Sequence, residues 1–383
     1  MNTQNEPINF VTVEAKALRS ALKPATLIVE PRNTIPVLSM VRLSYSAKGL
    51  AIVATDLDLE LRIEVDEIEG AGEWSICIVA KELANIAAAA GVSPVMISLV
   101  AKETETTHYA VRITAGDCEY SLAGCDPADF PLLQGERMQR IERFTNGQLA
   151  VMLEKVACCI SKEETRYYLN GVNWTANSEG KHFAATDGHR LARCRYDKTE
   201  ATTAFSYIIP RKTIEVLVEF FTGADVEILS VGKGNEINHL LLDVHAPGLS
   251  MRTKLIDGNF PDIARVIPVN QDHWIAIKRE EMLSAIRQAT AISGLHRSAI
   301  RLHDVGGRLA IETKNLDSGT AKVTTSSQWP TDLQAIGVNS RYMAEMLKQC
   351  QGDIKLGTSS PGAPFTLSDD DKDMTRVVMP MRI

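Results

Sequence analysis

The chain has 383 residues, 45% hydrophobic and 23% charged, enough apolar material for a core in each of two or three domains. A net charge of −7 excludes tight, charge-driven nucleic-acid binding over the whole surface but leaves room for a local basic lining. No apolar run reaches the ~18 residues of a membrane span, and the opening MNTQNEPINF has neither the basic nor the apolar region of a signal peptide, so a cytoplasmic protein is expected.

In chain order, Leu18, Leu22 and Ala25 make the first helical stripe, and Pro24 within it is expected to kink or shorten that helix. The strand-like run WSICIVA leads into KELANIAAAAG, where Leu83, Ile86, Ala87 and Ala90 share a face and Gly91 supplies the stop; PVMISLV follows as another strand. Polar QGERMQRIE, 134–142, reads as a loop-like boundary. Beyond it, Leu149, Leu153 and Val156 form a stripe like the first. Then come FSYIIP, the helix RKTIEVLVEFFTG with Ile214, Leu217, Val218 and Phe221 on one face, and the strand DVEILSV. After a second polar boundary at 267–273 the order returns: Met282, Ile286 and Ala289; the strand LQAIGV; SRYMAEMLKQCQG with Met343, Met346, Leu347 and Cys350; and DIKLGT.

The stripes keep step. Leu83, Ile214 and Met343 lie 131 and 129 residues apart, and Leu18, Leu149 and Met282 lie 131 and 133 apart. One such stripe is common to any amphipathic helix; two, with flanking strands, recurring three times in register indicate repetition. The expected fold is α+β, three domains spanning 1–136, 137–268 and 269–383, each with two helices and about eight short strands. Whole domains in series suggest an arc or, with a second copy, a closed ring. The outer helix faces mix Lys16, Arg19, Lys23, Lys81, Lys155, Arg211, Lys212, Arg287, Arg341 and Lys348 with Glu14, Glu82, Glu154, Glu215, Glu219 and Glu345. That mixture fits a solvated face, or a weakly basic lining for a polyanion.

Chemistry-bearing motifs are sparse. In FAATDGHRLARCR, Asp187 and His189 with Cys194 could be read as orienter, base and nucleophile of a hydrolase, but DG is first a turn signal and no nucleophile elbow is present; an Asx-type turn and polar rim are expected. DDDKD, Asp369 to Asp373, lacks the calcium-loop pattern and reads as an exposed acidic turn. The seven cysteines, an odd number with no C-x-x-C pair, read as free, buried or semi-buried thiols. No metal or cofactor is called for, and no catalytic residue is assigned. In ETRYYLNGV, Arg166 beside Tyr167 and Tyr168 suits stacking on bases and contact with phosphate, or one core and one surface tyrosine.

RYYLNGV, ATDGHRLA, IIPRKTIEVL, KLIDGNFPDIARVIP and the terminal VVMPMRI, in this order and spacing, resemble the bacterial DNA polymerase III beta subunit family, the sliding clamps. RNTIPVLSMV, ATDLDLELR and DPADFP extend the resemblance through the first domain, so it covers essentially the whole chain. It implies the DNA-clamp fold: a head-to-tail homodimer forming a six-domain ring around duplex DNA, helices lining the hole and sheets outside. Such a ring is non-catalytic and gives processivity to the replicative polymerase. Its implied partners are the DNA polymerase III alpha subunit, the clamp loader and other proteins carrying a short motif rich in Gln, Leu and Phe. A homologue specialised for a plasmid, phage or resistance role is the other reading within the family.

Carried over by position, the resemblance implies a peptide pocket of Leu169, Thr186, Gly188, His189, Arg190, Leu191, Pro261, Arg265, Val266, Asn339 and Tyr342. Gly362 and Pro364 stand at its wall, where the chain departs from the enterobacterial pattern, and Val377, Val378, Met379, Pro380, Met381 and Arg382 close it. Methionine suits a groove that accepts several partners. DNA contact is implied for Arg32, Arg166, Tyr167, Tyr168, Arg211 and Lys212, and the dimer contact for Tyr120 and Leu122 against Ala291 and Ile292. Ala291 stands where the family often has a larger aliphatic residue. A ring holds DNA by topology, so a mildly basic lining on an acidic body is what sliding needs.

Overall fold

The computed structural model describes residues 9–30, 32–100, 109–233, 236–292, 299–315 and 319–382. One plan recurs three times. In the first repeat β1 (Phe10–Val13) leads into α1 (Ala15–Ile28), then β2 (Met40–Ser46), β3 (Gly49–Thr55), β4 (Leu59–Val65) and β5 (Glu67–Ala71). β6 (Trp74–Val79) feeds α2 (Ala80–Ala89), and β7 (Val95–Val100), β8 (Tyr109–Ala115) and β9 (Cys118–Gly124) complete the repeat.

The second repeat has β10 (Glu136–Phe144), α3 (Gln148–Ala157), β11 (Gly171–Asn177), β12 (Gly180–Thr186) and β13 (Arg190–Asp197). β14 (Phe205–Pro210), α4 (Arg211–Phe220), β15 (Val226–Lys233), β16 (Glu236–Ala246) and β17 (Leu249–Lys254) follow. The third runs β18 (His273–Lys278), α5 (Arg279–Ala289), β19 (Ala299–Val305), β20 (Arg308–Asn315) and β21 (Gly319–Gln328). It ends with β22 (Ile336–Asn339), α6 (Ser340–Lys348), β23 (Asp353–Thr358), β24 (Phe365–Ser368) and β25 (Met374–Val378). The six stripes read from the sequence are these six helices.

By packing, the chain divides into two compact units, residues 1–149 with 219–255 and residues 150–218 with 256–383. Each holds one eight-stranded antiparallel sheet and one smaller sheet. In the first unit the large sheet runs β10-β15-β16-β17-β4-β3-β2-β6, and the small one β5-β1-β7-β8-β9. In the second they run β14-β11-β12-β13-β25-β24-β23-β18 and β21-β20-β19-β22. A large sheet is thus two four-stranded halves from successive repeats. They are zipped by β4 to β17, Leu59↔Thr253 through Ile63↔Leu249, and by β13 to β25, Arg190↔Val378 through Cys194↔Met374.

The helices bury the predicted stripes. Leu18 and Leu22 of α1 are essentially enclosed against β3, β4 and α2, each contributing about 1.5–3 kcal/mol of burial free energy. That packing explains a difference from expectation: α1 is not shortened at Pro24 but runs through it, fourteen residues long. Proline removes one backbone donor, while the stripe is buried on both sides of it, from Ala15 to Ile28. The polar segment 134–142 also differs from its loop-like reading, because residues 136–144 form the edge strand β10. Its charges find partners across 82 to 106 positions of sequence: Arg140 with Glu227 at 3.2 Å, Arg143 with Asp225 at 3.4 Å and Arg137 with Asp243 at 2.9 Å. Such pairs are invisible to periodicity.

Candidate functional site

The connection from β12 to β13 is an Asx turn built by its own side chains. Asp187 Oδ1 accepts from the N–H groups of His189 and Arg190, both at 2.9 Å, and Oδ2 accepts from Arg190 Nε at 3.1 Å. Thr186 Oγ1 donates to the Arg190 carbonyl at 2.7 Å and accepts from Gly188 N–H at 3.1 Å. Gly188 has φ of +85°, and a Cβ there would stand 2.5 Å from Arg166 Nη1. Glycine is therefore favoured by its dihedral, and it lets the guanidinium of Arg166 come close. Arg166 braces the turn, donating from Nη2 to the Asp187 carbonyl at 3.0 Å while Nε is held by Glu163 at 2.9 Å.

Arg190, almost wholly buried, ties this turn to α6. Its guanidinium lies 4.4 Å from the centre of the Tyr342 ring, and Nη1 is 2.7 Å from Glu345 Oε2, close as an ion pair but not aligned as a hydrogen bond. Burial works against the Arg190 charge, but nearby Cys159, Glu345 and Asp187 outweigh it and hold the pKa above its ordinary value. Burial likewise opposes the Glu345 carboxylate, and the Arg341 hydrogen bond with the adjacent Arg190 charge overcomes it, leaving its pKa lowered. Asn339 caps α6, Oδ1 accepting from Arg341 N–H at 3.0 Å and Tyr342 N–H at 3.2 Å, which fixes Tyr342 in the first turn. His189 stacks on that ring, centroids 6.0 Å apart and planes 20° off parallel.

The tail is stitched across these elements. After β25, Met379 N–H donates to the His189 carbonyl and Met381 N–H to the Gly337 carbonyl of β22, both at 2.8 Å. Beneath lies a buried cluster of Ala184, Leu191, Ile263 and Val377, with Phe260 and Ile267 packed against it. Near members of this cluster along the chain, Val266 and Met379 keep 47% and 39% of their surface exposed, and Met381 keeps 38%, an apolar surface beside a buried apolar cluster. Leu169 is buried, and Val378 is enclosed in the sheet, paired with Arg190 and Phe365, so it supports that surface. Pro261, Arg265, Gly362 and Arg382 are exposed and Pro364 and Pro380 half-buried; Arg265 pairs with Asp262 at 2.9 Å. All nineteen residues of the expected pocket lie in the second unit.

The other expected contacts are dispersed. Arg32 is exposed, Tyr167 is 54% exposed and Tyr168 half-buried, and Arg211 faces Glu215 at 3.9 Å. Arg166 is committed to Glu163 and the turn, and Lys212 is half-buried. Of the cations read as a helix-face lining, Lys155 is instead bound to Asp371 at 2.6 Å in a largely buried pair, and Arg19 caps α2 through the carbonyls of Ala87 and Gly91. Tyr120 and Leu122 lie on β9, an edge of the small sheet of the first unit. Ala291 and Ile292 sit in a 3-10 turn, Thr290–Ile292, packed on β21, an edge of the small sheet of the second unit.

Two readings need correction. DDDKD is not simply an exposed turn: the Asp369 carboxylate is enclosed, 3.0 Å from Nη1 of the equally enclosed Arg376. Nothing local in the sequence signals that ion pair, because its context comes from the sheet. Cys118 is exposed rather than buried or semi-buried. The hydrolase reading also fails on geometry. The Asp187 carboxylate is occupied by Arg190 and two backbone donors, and burial pushes the Cys194 thiol up to about 11. Among the described residues, no cluster of three or more His, Cys, Asp or Glu is arranged to hold a metal ion, and no helix is long and apolar enough to cross a membrane.

Three family models of the DNA polymerase III beta subunit match in tandem: the N-terminal domain over residues 9–134, the central domain over 144–262 and the C-terminal domain over 264–382. The chain belongs to the DNA polymerase III beta subunit family. Among relatives, the beta sliding clamp of Caulobacter vibrioides is 27% identical over 386 residues, covering 97% of this chain and 100% of the relative. That of Pseudomonas aeruginosa is 28% identical over 378 residues, covering 97% and 99%. Solved structures agree. The Pseudomonas aeruginosa sliding clamp bound to griselimycin superposes with a TM-score of 0.87 at 26% identity, covering 98% of this chain and 100% of that one. The Bartonella birtlesii clamp bound to griselimycin gives 0.86 at 28%, with coverage of 98% and 100%. The fold is that of three clamp domains.

Proposed function

We propose that this protein is a non-catalytic DNA sliding clamp of the cytoplasm, a head-to-tail homodimer that encircles duplex DNA and tethers the replicative polymerase. The observation that carries the ring is the state of the sheets. β9, β17 and β25 occupy the same place in successive repeats, as do β4, β13 and β21. β17 joins β4 and β25 joins β13, which leaves β9 and β21 as edges of the two smaller sheets. A second copy would pair its β21 with this β9, and the reciprocal pair would close the ring, turning the two aggregation-prone edges of each copy into parts of two continuous nine-stranded sheets. Tyr120, Leu122, Ala291 and Ile292 belong to that contact in this reading. Domain limits at 1–136, 137–268 and 269–383 fit it, the first falling at the start of β10.

Docking is assigned to the exposed methionines and Val266 over the Leu191, Ile263 and Val377 floor, with His189, Arg190 and Tyr342 at the rim. The occupants are short motifs of the DNA polymerase III alpha subunit, the clamp loader and other clamp-binding proteins. Arg32, Arg166, Tyr167, Tyr168, Arg211 and Lys212 are proposed to touch DNA, with Arg166 acting also as a brace. The test is retention on circular against linearised duplex, with subunit mass measured in solution. A dimer that stays on circles and runs off free ends is expected; a monomer at micromolar concentration, or equal loss from both DNAs, would refute the clamp.

A further inference from the structure

The apolar floor continues into a charged surface on the same sheet face. Residues i, i+2 and i+4 of a strand face one side, so Leu191, Arg193 and Arg195 of β13 share a face. The register sets Val377 and Thr375 of β25 opposite Leu191 and Arg193, and His182 of β12 opposite Arg195. At ~3.3 Å per residue, Arg193 stands about 7 Å and Arg195 about 13 Å from the floor residue Leu191.

Arg193 is only loosely paired. Arg193 Nη2 donates to Thr375 Oγ1 at a long 3.4 Å, and Nη1 is 3.8 Å from the exposed Glu179 carboxylate. Nε of Arg193 and Nε of Arg195 are both buried without a hydrogen-bond partner among the described residues. Burial, then the Arg195 charge, lowers the Arg193 pKa, with Glu179 only partly offsetting them. Burial and the two arginines push His182 down to about 4, so it is neutral near pH 7 and leaves the positive charge to the guanidiniums. Two half-buried arginines side by side on one sheet face, with the Glu179 carboxylate no nearer than 3.8 Å to Arg193, are suited to receive an anion of planar, forked geometry.

We propose that Arg193 and Arg195 form an acid-recognising extension of the docking groove, which takes carboxylate side chains of a partner peptide placed two to four residues from its apolar anchor. The proposal rests on the docking reading of the tail surface. A peptide carboxylate fits because an extended peptide seated on Leu191 and Val377 covers ~3.3 Å per residue and so reaches both arginines within that spacing. This would make partner choice depend on charge beside the motif as well as on the motif itself.

The probes are labelled peptides with the core Gln-Leu-Ser-Leu-Phe, alone or flanked on either side by three aspartates or three serines, titrated by fluorescence anisotropy. One aspartate-flanked peptide should bind the unaltered protein about tenfold tighter than its serine counterpart at low salt, as expected for a charge-assisted hydrogen bond. The gap should close in Arg193→Gln/Arg195→Gln and shrink at high salt, with the core affinity unchanged. Equal binding of both flanked sets to the unaltered protein overturns the proposal without touching the docking reading, and needs no variant to fold. A gap that persists in the double variant overturns it too, as does a variant that loses circular DNA while keeping its acid preference. If the bare core peptide fails to bind, the docking reading falls and takes this proposal with it.

Discussion

Arg376 is enclosed to 1% exposure, with Nη1 on Asp369 and Nη2 donating to the Gln349 carbonyl at 2.9 Å. Asp369 in turn accepts from the N–H groups of Gln351 at 2.7 Å and Asp371 at 3.1 Å, so the pair fastens β25 to the end of α6. Removing one member leaves the other as a buried, uncompensated charge. Arg376→Met should therefore cost about 3–5 kcal/mol in urea unfolding, and Arg376→Met with Asp369→Asn should recover much of that. A double variant no more stable than the single one would show that packing, not charge, is what the pair supplies. Beside it, Asp371 is opposed by burial, but hydrogen bonds from Lys155 and Asp373 N–H prevail and lower its pKa from 3.8. A depressed carboxylate contributes stability in full above its unfolded value and loses it as pH falls through the folded one. Lys155→Met should accordingly flatten the acid limb of the stability profile below about pH 4, read from urea midpoints across that range; an unchanged slope would remove Lys155 as the cause. From the sequence, DDDKD gave the acid but not its burial, because Arg376 comes from the next strand and the enclosing walls from α6 and the sheet.

Helices were legible because a 3.6-residue period is written locally: Ile214, Leu217 and Phe221 need no knowledge of what covers them. β10 was not, since ERMQRIERF lacks clean alternation and its cations are matched by distant acids, Asp225 just before β15, Glu227 on β15 and Asp243 on β16. The Asx turn at Asp187 was legible in DG, whereas the bracing of Gly188 by Arg166 depends on a contact 22 positions away. The tail falls between these cases. VVMPMRI announces a strand and then exposed apolar residues, while its anchors, the carbonyls of His189 and Gly337, are matters of topology. β25 ends at Val378, so deleting residues 379–383 spares every pairing of β25 with β13 and β24. Binding of the core peptide should then fall at least about a hundredfold, the loss of two exposed methionine contacts and a wall, while the dimer mass and urea midpoint stay within error. Unchanged peptide affinity would assign the docking surface elsewhere.

At the level of the whole molecule, the repeat predicts where a second copy must attach, and composition predicts how tightly DNA may be held. A net charge of −7 argues against retention by overall attraction and fits the proposed ring, in which closure holds the DNA. In the proposed ring, closure depends on β9 and β21, whose alternate residues Tyr120, Leu122, Ala321 and Val323 are half-buried in the single chain. That degree of exposure leaves apolar area for a partner to cover, and Ala291 offers less of it than a larger aliphatic residue would. Leu122→Asp places a carboxylate where an edge-to-edge sheet would have to desolvate it, which costs several kcal/mol. The expected outcome is a monomer by sedimentation at micromolar concentration, with circular DNA no longer retained. The docking surface lies wholly in residues of the second unit and Leu122 in the first, so the same variant should still bind the core peptide with unaltered affinity. Loss of DNA with retention of peptide separates ring closure from docking. A Leu122→Asp protein that remains dimeric would mean that β9 is not the strand through which the ring closes.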